Sequence, residues 1–509
     1  MPLKQISGSL RHALALSRGY LESLLKSRAP VTPDAFQPAT FATKCAYGLG
    51  QASEGMKTNA FSLFTLFYYN QILGLDGALT GMALGIALVI DAIVDPLVGW
   101  LSDSWRSRFG RRHPFMYASI LPLALGFSLL FNPIVTSQEG LFIWLIVFAC
   151  ISRVSISMFF IPHVALGAEL SVDFQERTSI VGYRQVFSIL GGATVVLLGF
   201  GVFLADQEIR SGALDHTSYG AMGITLAVVM ASCMLISALG TQNRVPYLYQ
   251  VPDGAPRHTA WGILGSMYQQ FRGILGNRSF CALFFGVLIL YVMVGVDAAL
   301  YLHVTTFFWQ ITSTEQMYFW AIFSLGCILG GLSTTKLSEW FEKRTLLIFG
   351  TVGWAFFQML PTVLRVLEAL PENRDSALFP FLAAVSFAKG LVVVQAWIMY
   401  GSMMADVADE YDLETGRRSE GILFAAVSFS NQAMTGLGTI IAGFILSFLE
   451  WPTGAHVDVS TIDPSKVALM GLFYGPAIGG FALFSMLFFL AYGIDKRRHT
   501  EIRAMLQSR

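Results

Sequence analysis

The sequence predicts an all-α membrane protein of twelve transmembrane helices arranged in two six-helix halves, and three observations predict it. Of 509 residues, 54% are hydrophobic and only 13% are charged. That is about half the charged share of a soluble domain, so most of the surface faces lipid. Twelve apolar segments lie at about 43–73, 78–102, 114–136, 141–168, 179–204, 219–239, 279–307, 316–336, 345–366, 379–405, 420–449 and 467–494, each close to or above the roughly 20 residues that a helix needs to cross a bilayer. Basic residues fall in alternate loops between them.

Those loops set the orientation. One set carries Arg106, Arg108, Arg111 and Arg112, then Arg177, then Arg244, Arg257, Arg272 and Arg278, then Lys336, Lys343 and Arg344, then Arg417 and Arg418. The other carries Asp76, Glu139, Asp206, Glu208, Asp215, Glu315, Glu372, Asp375, Glu450 and Asp458 with few cations. Because the basic loops stay inside, the first set and both termini are expected on the cytoplasmic face of a multi-pass cell-membrane protein.

Residues 1–40 lack the continuous apolar core of a secretory signal. Ile6, Leu10, Leu14, Leu21 and Leu25, with Arg11, Arg18, Lys26 and Arg28 between them, predict an interfacial helix on the cytoplasmic leaflet, ended by Pro30, Pro33 and Pro38. The expected organisation is this segment, an N-terminal half over 41–239, a cytoplasmic loop over 240–278, a C-terminal half over 279–494 and a tail over 495–509. A faint repeat supports two halves: Leu101-Ser102-Asp103 matches Leu337-Ser338-Glu339, and Ala168-Glu169-Leu170 matches Ala405-Asp406-Val407. Two similar halves rocking about a central site is the plan of secondary transporters.

Formal net charge is zero, with 33 basic and 33 acidic residues, which argues against nucleic acid. The five cysteines, at 45, 150, 233, 281 and 327, have no metal or disulfide spacing and read as packing residues. No Gly-x-Ser-x-Gly, His-Glu-x-x-His or phosphate-binding loop occurs, so an enzyme is not expected. A sensor would need a soluble signalling domain, for which the tail is too short. No cofactor is expected, and the expected unit is a monomer whose partners are a small-molecule substrate and the lipid bilayer.

The chemistry sits in the charges at membrane depth. Asp91 and Asp95 are one helical turn apart in the second apolar segment. A carboxylate there is costly unless it meets a cavity, a partner or an ion, and two so close would share a proton or clasp a cation. Structural pairing with Lys or Arg of neighbouring helices is the plain alternative. Glu54 and Lys57 can neutralise each other on helix one, and Arg153, Asp297 and Lys389 are expected to be paired. Lys57, Lys389 and Arg184 converging on an anionic substrate is the functional alternative. His163 reads either as a proton relay or as a hydrogen-bonded structural histidine.

Three stretches carry a family resemblance. Asp91-Ala92-Ile93-Val94-Asp95-Pro96-Leu97-Val98-Gly99 precedes Ser107-Arg108-Phe109-Gly110-Arg111-Arg112-His113-Pro114. Ala405-Asp406-Val407-Ala408-Asp409 precedes Glu414-Thr415-Gly416-Arg417-Arg418-Ser419-Glu420-Gly421, and Ile161-Pro162 precedes Ala165-Leu166-Gly167-Ala168-Glu169-Leu170 and Glu176-Arg177. Together they resemble the glycoside-pentoside-hexuronide cation symporters of the major facilitator superfamily, and the basic loop is also similar to that of sucrose transporters. The resemblance implies the major facilitator fold and cation-coupled symport of a glycoside, uronide or related small polar solute by alternating access. A lysolipid or other amphipathic substrate is the alternative within transport.

By the same resemblance Asp91, Asp95 and Ser157 fall on cation-coupling positions, Arg184 on a sugar-contacting arginine and Trp397 on a sugar-stacking tryptophan. Phe160 and Gly55 stand where the melibiose-carrying branch has sugar-binding aspartates, and Gln432 where it has a lysine, so galactoside specificity is not carried over. Substrate candidates are thus Arg184, Trp397, Gln432, Phe160, Glu54, Lys57 and Lys389. Val94 replaces an amide between the aspartates, which leaves a sodium ion short of oxygen ligands and favours a proton as coupling ion. Asp103, Arg108, Arg112 and Glu169, facing Asp406, Asp409, Arg417 and Arg418, are expected to form a cytoplasmic gate of ion pairs across the halves. Fixing topology is the alternative role for these charges.

Overall fold

The computed structural model describes residues 39–171, 173–205, 212–248, 272–415, 420–454, 457 and 461–507. The interfacial helix expected before residue 39, most of the central loop and the gate candidates Arg417 and Arg418 lie outside the described residues.

The chain is built of helices, many of them started by a polar side chain that catches backbone N–H groups otherwise left without partners. Helix α1 (Phe41–Ala60) is capped by Thr40 and runs on through π-helical turns at Phe61–Thr65 and Tyr68–Ile72. Helix α2 (Gly77–Ser104) is capped by Asp76, and α3 (His113–Leu130) begins at the basic loop. Helices α4 (Gln138–Glu169), α5 (Phe174–Leu198, with a π turn to Phe203) and α6 (His216–Gln242) are capped by Ser137, Asp173 and Asp215. Asn277 caps α7 (Arg278–His303, with a π turn to Phe308), and a Thr312–Glu315 capping box starts α8 (Ser313–Trp340). Helices α9 (Lys343–Val366), α10 (Leu378–Thr415), α11 (Glu420–Phe448) and α12 (Pro464–Phe489, bent by a π turn at Phe473–Ala477) follow. A tail helix, α13, spans Lys496–Gln507.

Among the described residues eleven helices are long and apolar enough to cross a membrane. The twelfth is α1, whose α-helical part is polar, with Gln51, Ser53, Glu54, Lys57, Thr58 and Asn59 in succession. Helix α10 continues ten residues past the expected end at 405, because its acidic extension is held from outside. Asn277 donates to Glu410 and Glu414, one turn apart, and Lys343 binds Asp406. The basic loop turns at Gly110, whose φ of +83° suits glycine, and a Cβ there would meet Val245 at 3.0 Å.

Helices pack chiefly within their own half: α1 on α5 and α6 and α3 on α4 in one, α8 and α9 on α10 and α7 on α11 and α12 in the other. Small residues tighten this packing, because they let helix backbones approach closely in lipid; Gly326 and Gly390 let α8 and α10 touch in this way.

The ties between the halves lie at the end of the bundle opposite the basic loops. There α2 crosses α11 with no room for a side chain, since a Cβ on Gly77 would meet the Gly443 carbonyl at 2.6 Å. Trp451 donates to Gln71 at 3.1 Å, Ser447 to Asp76 at 3.0 Å, and His303 Nε2 lies 3.2 Å from Asn70 Oδ1. Phe307 bridges Phe67 and Trp451. Replacing Gly443 by Leu should force this seam apart. A cysteine at Asn70, which is 1% exposed, would then become reactive to a soluble maleimide from that face; unchanged protection would show that the seam does not hold the closure.

Candidate functional site

Helices α2 and α4 bring the first cluster together. Asp91 is 1% exposed and accepts a hydrogen bond from Ser157 Oγ at 2.8 Å. Arg153, one turn earlier on α4, places Nη1 at 3.3 Å from the other Asp91 oxygen, and its guanidinium covers the Phe61 ring at 4.7 Å. Thus Arg153 is paired as expected, and its partner, which sequence spacing did not reveal, is one of the two aspartates.

Asp95 lies a turn further along α2. Ser157 neighbours both carboxylates, but its single proton goes to Asp91, and Asp95 Oδ1 is buried without a hydrogen-bond partner. Pro96 follows directly and removes a backbone donor from the helix interior. Glu54 and Lys57 on α1 pair at 2.9 Å, near enough to Asp95 to act on its charge, and Glu54 Oε2 is also buried and unpartnered. Three carboxylates and two cations leave the cluster with one formal negative charge. One bound proton or monovalent cation balances it.

A second centre lies inside the other half. Helices α7, α8, α9, α10 and α12 line a cavity of about 430 Å³, to which α1 adds Leu63. Its polar wall is a closed set. Lys389 Nζ lies 3.3 Å from Asp297 Oδ2 and donates to Gln358 Oε1, while Gln358 Nε2 donates to Asp297 Oδ1 at 3.0 Å and to the Tyr474 carbonyl at 2.9 Å. Lys389 also sits 5.4 Å from the centre of the Trp354 ring. The rest of the lining is mostly aromatic and aliphatic, with Trp309, Trp320 and Trp397, but also carries the hydroxyls of Thr305, Thr362 and Ser386 and the partnerless indole N–H of Trp320; Trp397 stacks on Tyr291 at 5.3 Å.

Of the substrate candidates, Lys389 and Trp397 therefore share one cavity, while Glu54 and Lys57 gather at the aspartates. Arg184 lies beside Tyr47, half-buried, and Phe160 and Gln432 are half-buried outside the cavity lining. Sequence reasoning missed Gln358, Trp354 and Trp320. Only Gln358, a lone amide in the apolar run of α9, carried a signal. His163 is fully buried, stacks between Tyr47 and Phe159, and holds the Tyr47 carbonyl at 2.8 Å, as the structural reading expects.

The gate candidates separate. Arg111 and Arg112 both bind Glu169, Arg112 at 2.7 Å, and each lies 3.5 Å from Asp103, all within the first half. Arg108 covers the Phe109 ring. In the second half Asp406 binds Lys343 at 2.6 Å, and His499 of α13 lies 3.3 Å from Asp406 and 3.5 Å from Asp409. The pairs expected across the halves are thus replaced, among the described residues, by pairs within each half. The reason is geometric: the ties between the halves are at the opposite end, so each charge finds its partner in its own half.

A family model described as MFS/sugar transport protein matches residues 46–496. An uncharacterized symporter of Synechocystis is 26% identical, over 92% of this chain and 97% of its own. A putative glycoside/cation symporter of Escherichia coli is 23% identical, over 82% and 85%. The sodium-dependent lysophosphatidylcholine symporter 1 of Mus musculus is 23% identical, over 94% and 90%. Among solved structures, a bacterial homolog of the human lysosomal transporter Spinster, inward-facing and unoccupied, shares the fold at a TM-score of 0.60 and 14% identity, over 91% and 97%.

Proposed function

Because this chain belongs to the MFS/sugar transport protein family and is a cation-coupled solute symporter, we propose that its coupling ion is a proton held at Asp95 and that its cargo is a glycoside, uronide or related polar solute. The observation that carries the first part is the unpartnered, buried Asp95 oxygen beside an Asp91 already bound by Arg153 and Ser157. A sodium ion needs several oxygen ligands, and here Arg153 fills one side of the Asp91 carboxylate, which leaves few oxygens to surround one. A proton needs one oxygen. Protonation neutralises the remaining charge and lets the cluster cross a low-dielectric region as the halves rock.

The basic loops and both termini are cytoplasmic in this reading, so the closed seam faces outward and the structure represents the inward-facing state. Cysteines placed at Ser107 and Gly212 should label with impermeant reagents from the cytoplasmic and outer sides respectively; the reverse would invert the orientation.

For the cargo, Trp397 supplies the aromatic face on which a sugar ring stacks. Trp397→Ala should weaken binding of the transported solute by about 1–3 kcal/mol with cation binding retained, and unchanged affinity would move the pocket elsewhere. Lys57 and Lys389 are already neutralised by Glu54 and Asp297, which leaves Arg184 as the candidate for an anionic group. The apolar wall of the cavity favours a second reading, an amphipathic cargo such as a lysolipid. A thermal-shift screen of sugars, uronides and lysolipids selects the cargo. Its uptake into proteoliposomes should then follow an imposed pH gradient without sodium; uptake that requires sodium and ignores pH would overturn proton coupling.

A further inference from the structure

We propose that the coupling proton has a second station, Glu54 of α1, and that Lys57 decides which of the two carboxylates, Asp95 or Glu54, holds it. The inference rests on the proton reading above and adds a carrier to the same site, so Glu54 belongs with the coupling residues rather than with the cargo.

Glu54, Lys57 and Phe61 follow one another at helical spacing on one face of α1. Phe61 lies under the Arg153 guanidinium that binds Asp91, so this face is turned to the α2–α4 cluster, and Glu54 and Lys57 both act on the charge of Asp95. All three helices lead the same way. Phe61 to Lys57 on α1, Asp91 to Asp95 on α2 and Arg153 to Ser157 on α4 each step one turn toward the basic-loop end, where Lys44 of α1 meets Glu176 and Asp103 and Glu169 meet Arg112. Glu54 lies a further turn in that direction, away from the closed seam, and its side chain is 19% exposed against 2% for Asp91.

The bonds of Glu54 are one-sided. Its Oε1 takes both Lys57 at 2.9 Å and the Thr58 hydroxyl at 3.1 Å, while Oε2 is buried without a partner, as is Asp95 Oδ1. Two carboxylates therefore face one ammonium: Lys57 neutralises one of them and a shared proton the other. The other charges around them are engaged elsewhere. Asp91 and Arg153 bind each other, Arg184 of α5 sits at Tyr47, two turns from Glu54, and Asp297 and Lys389 of the other half pair together. With Lys57 on Glu54, the proton is on Asp95. When Nζ moves to Asp95, the Asp95 O–H bond breaks, its electron pair stays on the carboxylate that Lys57 now pairs, and an O–H bond forms at Glu54 Oε2. The cluster carries the same charge before and after, so the step exposes no lone ion to a low-dielectric interior. Glu54 then gives the proton to water at the basic-loop end and takes Lys57 back.

The test is infrared spectroscopy of the full chain in lipid nanodiscs, titrated through neutral pH without cargo, on unlabelled protein and on protein isotope-labelled at the side-chain carboxyl carbon of glutamate. Protonated carboxyls absorb apart from ionised ones, and the label moves only those of glutamate. In the parent the titrating carboxyl band should divide, one share moving with the label and the other, from Asp95, staying in place. This measurement needs no variant, so misfolding cannot mimic it. Glu54→Gln should lose the whole band near neutral pH, because Lys57 then pairs permanently with Asp95, and adding Lys57→Met should bring back its unlabelled share. Lys57→Met alone should leave both Asp95 and Glu54 protonated. A parent band that ignores the label would overturn the second station and leave Asp95 as the proton holder. A labelled share that survives Glu54→Gln would belong to another glutamate and overturn the assignment as well. Absence of any titrating carboxyl band in the parent would instead remove the proton reading itself, and this proposal with it.

Discussion

Asp95→Asn is expected to abolish concentrative uptake while sparing exchange of cargo down its own gradient. Asparagine has the shape of a protonated aspartate and no proton to release, so the α2–α4 cluster would stay neutral in both orientations of the carrier. Its three carboxylates would become two, matched by Arg153 and Lys57, and the transporter could rock with or without cargo. Uphill transport requires that rocking be forbidden to the charged, empty cluster, and that restriction is lost. The measurement is paired: accumulation under an imposed pH gradient, expected to fall to the level of equilibration, and counterflow from preloaded liposomes, expected to persist. Asp91→Asn should differ, because it leaves the Arg153 guanidinium, 3.3 Å from Asp91 in the parent, without its anion. Loss of counterflow in Asp95→Asn would mean that the carboxylate touches cargo. Retained accumulation would remove Asp95 from coupling altogether.

The twelve segments were legible because a bilayer imposes one demand, about twenty apolar residues, that composition meets or fails locally. Helix α1 was legible only through its apolar far half, since Glu54, Lys57 and Asn59 break its near half. The end of α10 was misplaced because Asp406 to Thr415 look like loop, and what keeps them helical, Asn277 and Lys343, comes from elsewhere in the chain. The same limit governs the sites. Asp91, Asp95 and Ser157 were readable, two by spacing and one by resemblance, and Glu54–Lys57 by i,i+3 proximity. The partners of Arg153 and Lys389 were not, since a charge in a membrane announces that it has a partner but not on which helix the partner lies. Neutral cavity residues such as Trp320 and Trp354 are indistinguishable in sequence from residues facing lipid. The charges proposed as a gate pair, among the described residues, within their own halves, and sequence spacing does not encode on which half a partner lies.

Arg153→Met is expected to be strongly destabilising. It leaves Asp91, 1% exposed, with only the Ser157 hydroxyl against its charge, and removal of one partner of a buried ion pair costs about 3–5 kcal/mol. The methionine keeps most of the side-chain volume over Phe61, so the loss reports charge rather than packing. Adding Asp91→Asn should restore most of the stability, because two neutral side chains of similar size replace the pair without an orphaned ion. Unfolding of parent, single and double variants in one detergent gives the coupling directly. Function should separate from stability: Arg153→Met raises the cluster from one formal negative charge to two, so its transport should demand a second proton per cycle and steepen with pH, while the double variant, again at one negative charge, should return toward the parent slope. A loss below about 1 kcal/mol for Arg153→Met, the level of a surface ion pair, would show that the Asp91 charge is held by something other than Arg153, and the assignment of Asp95 as the one uncompensated carboxylate would fall with it.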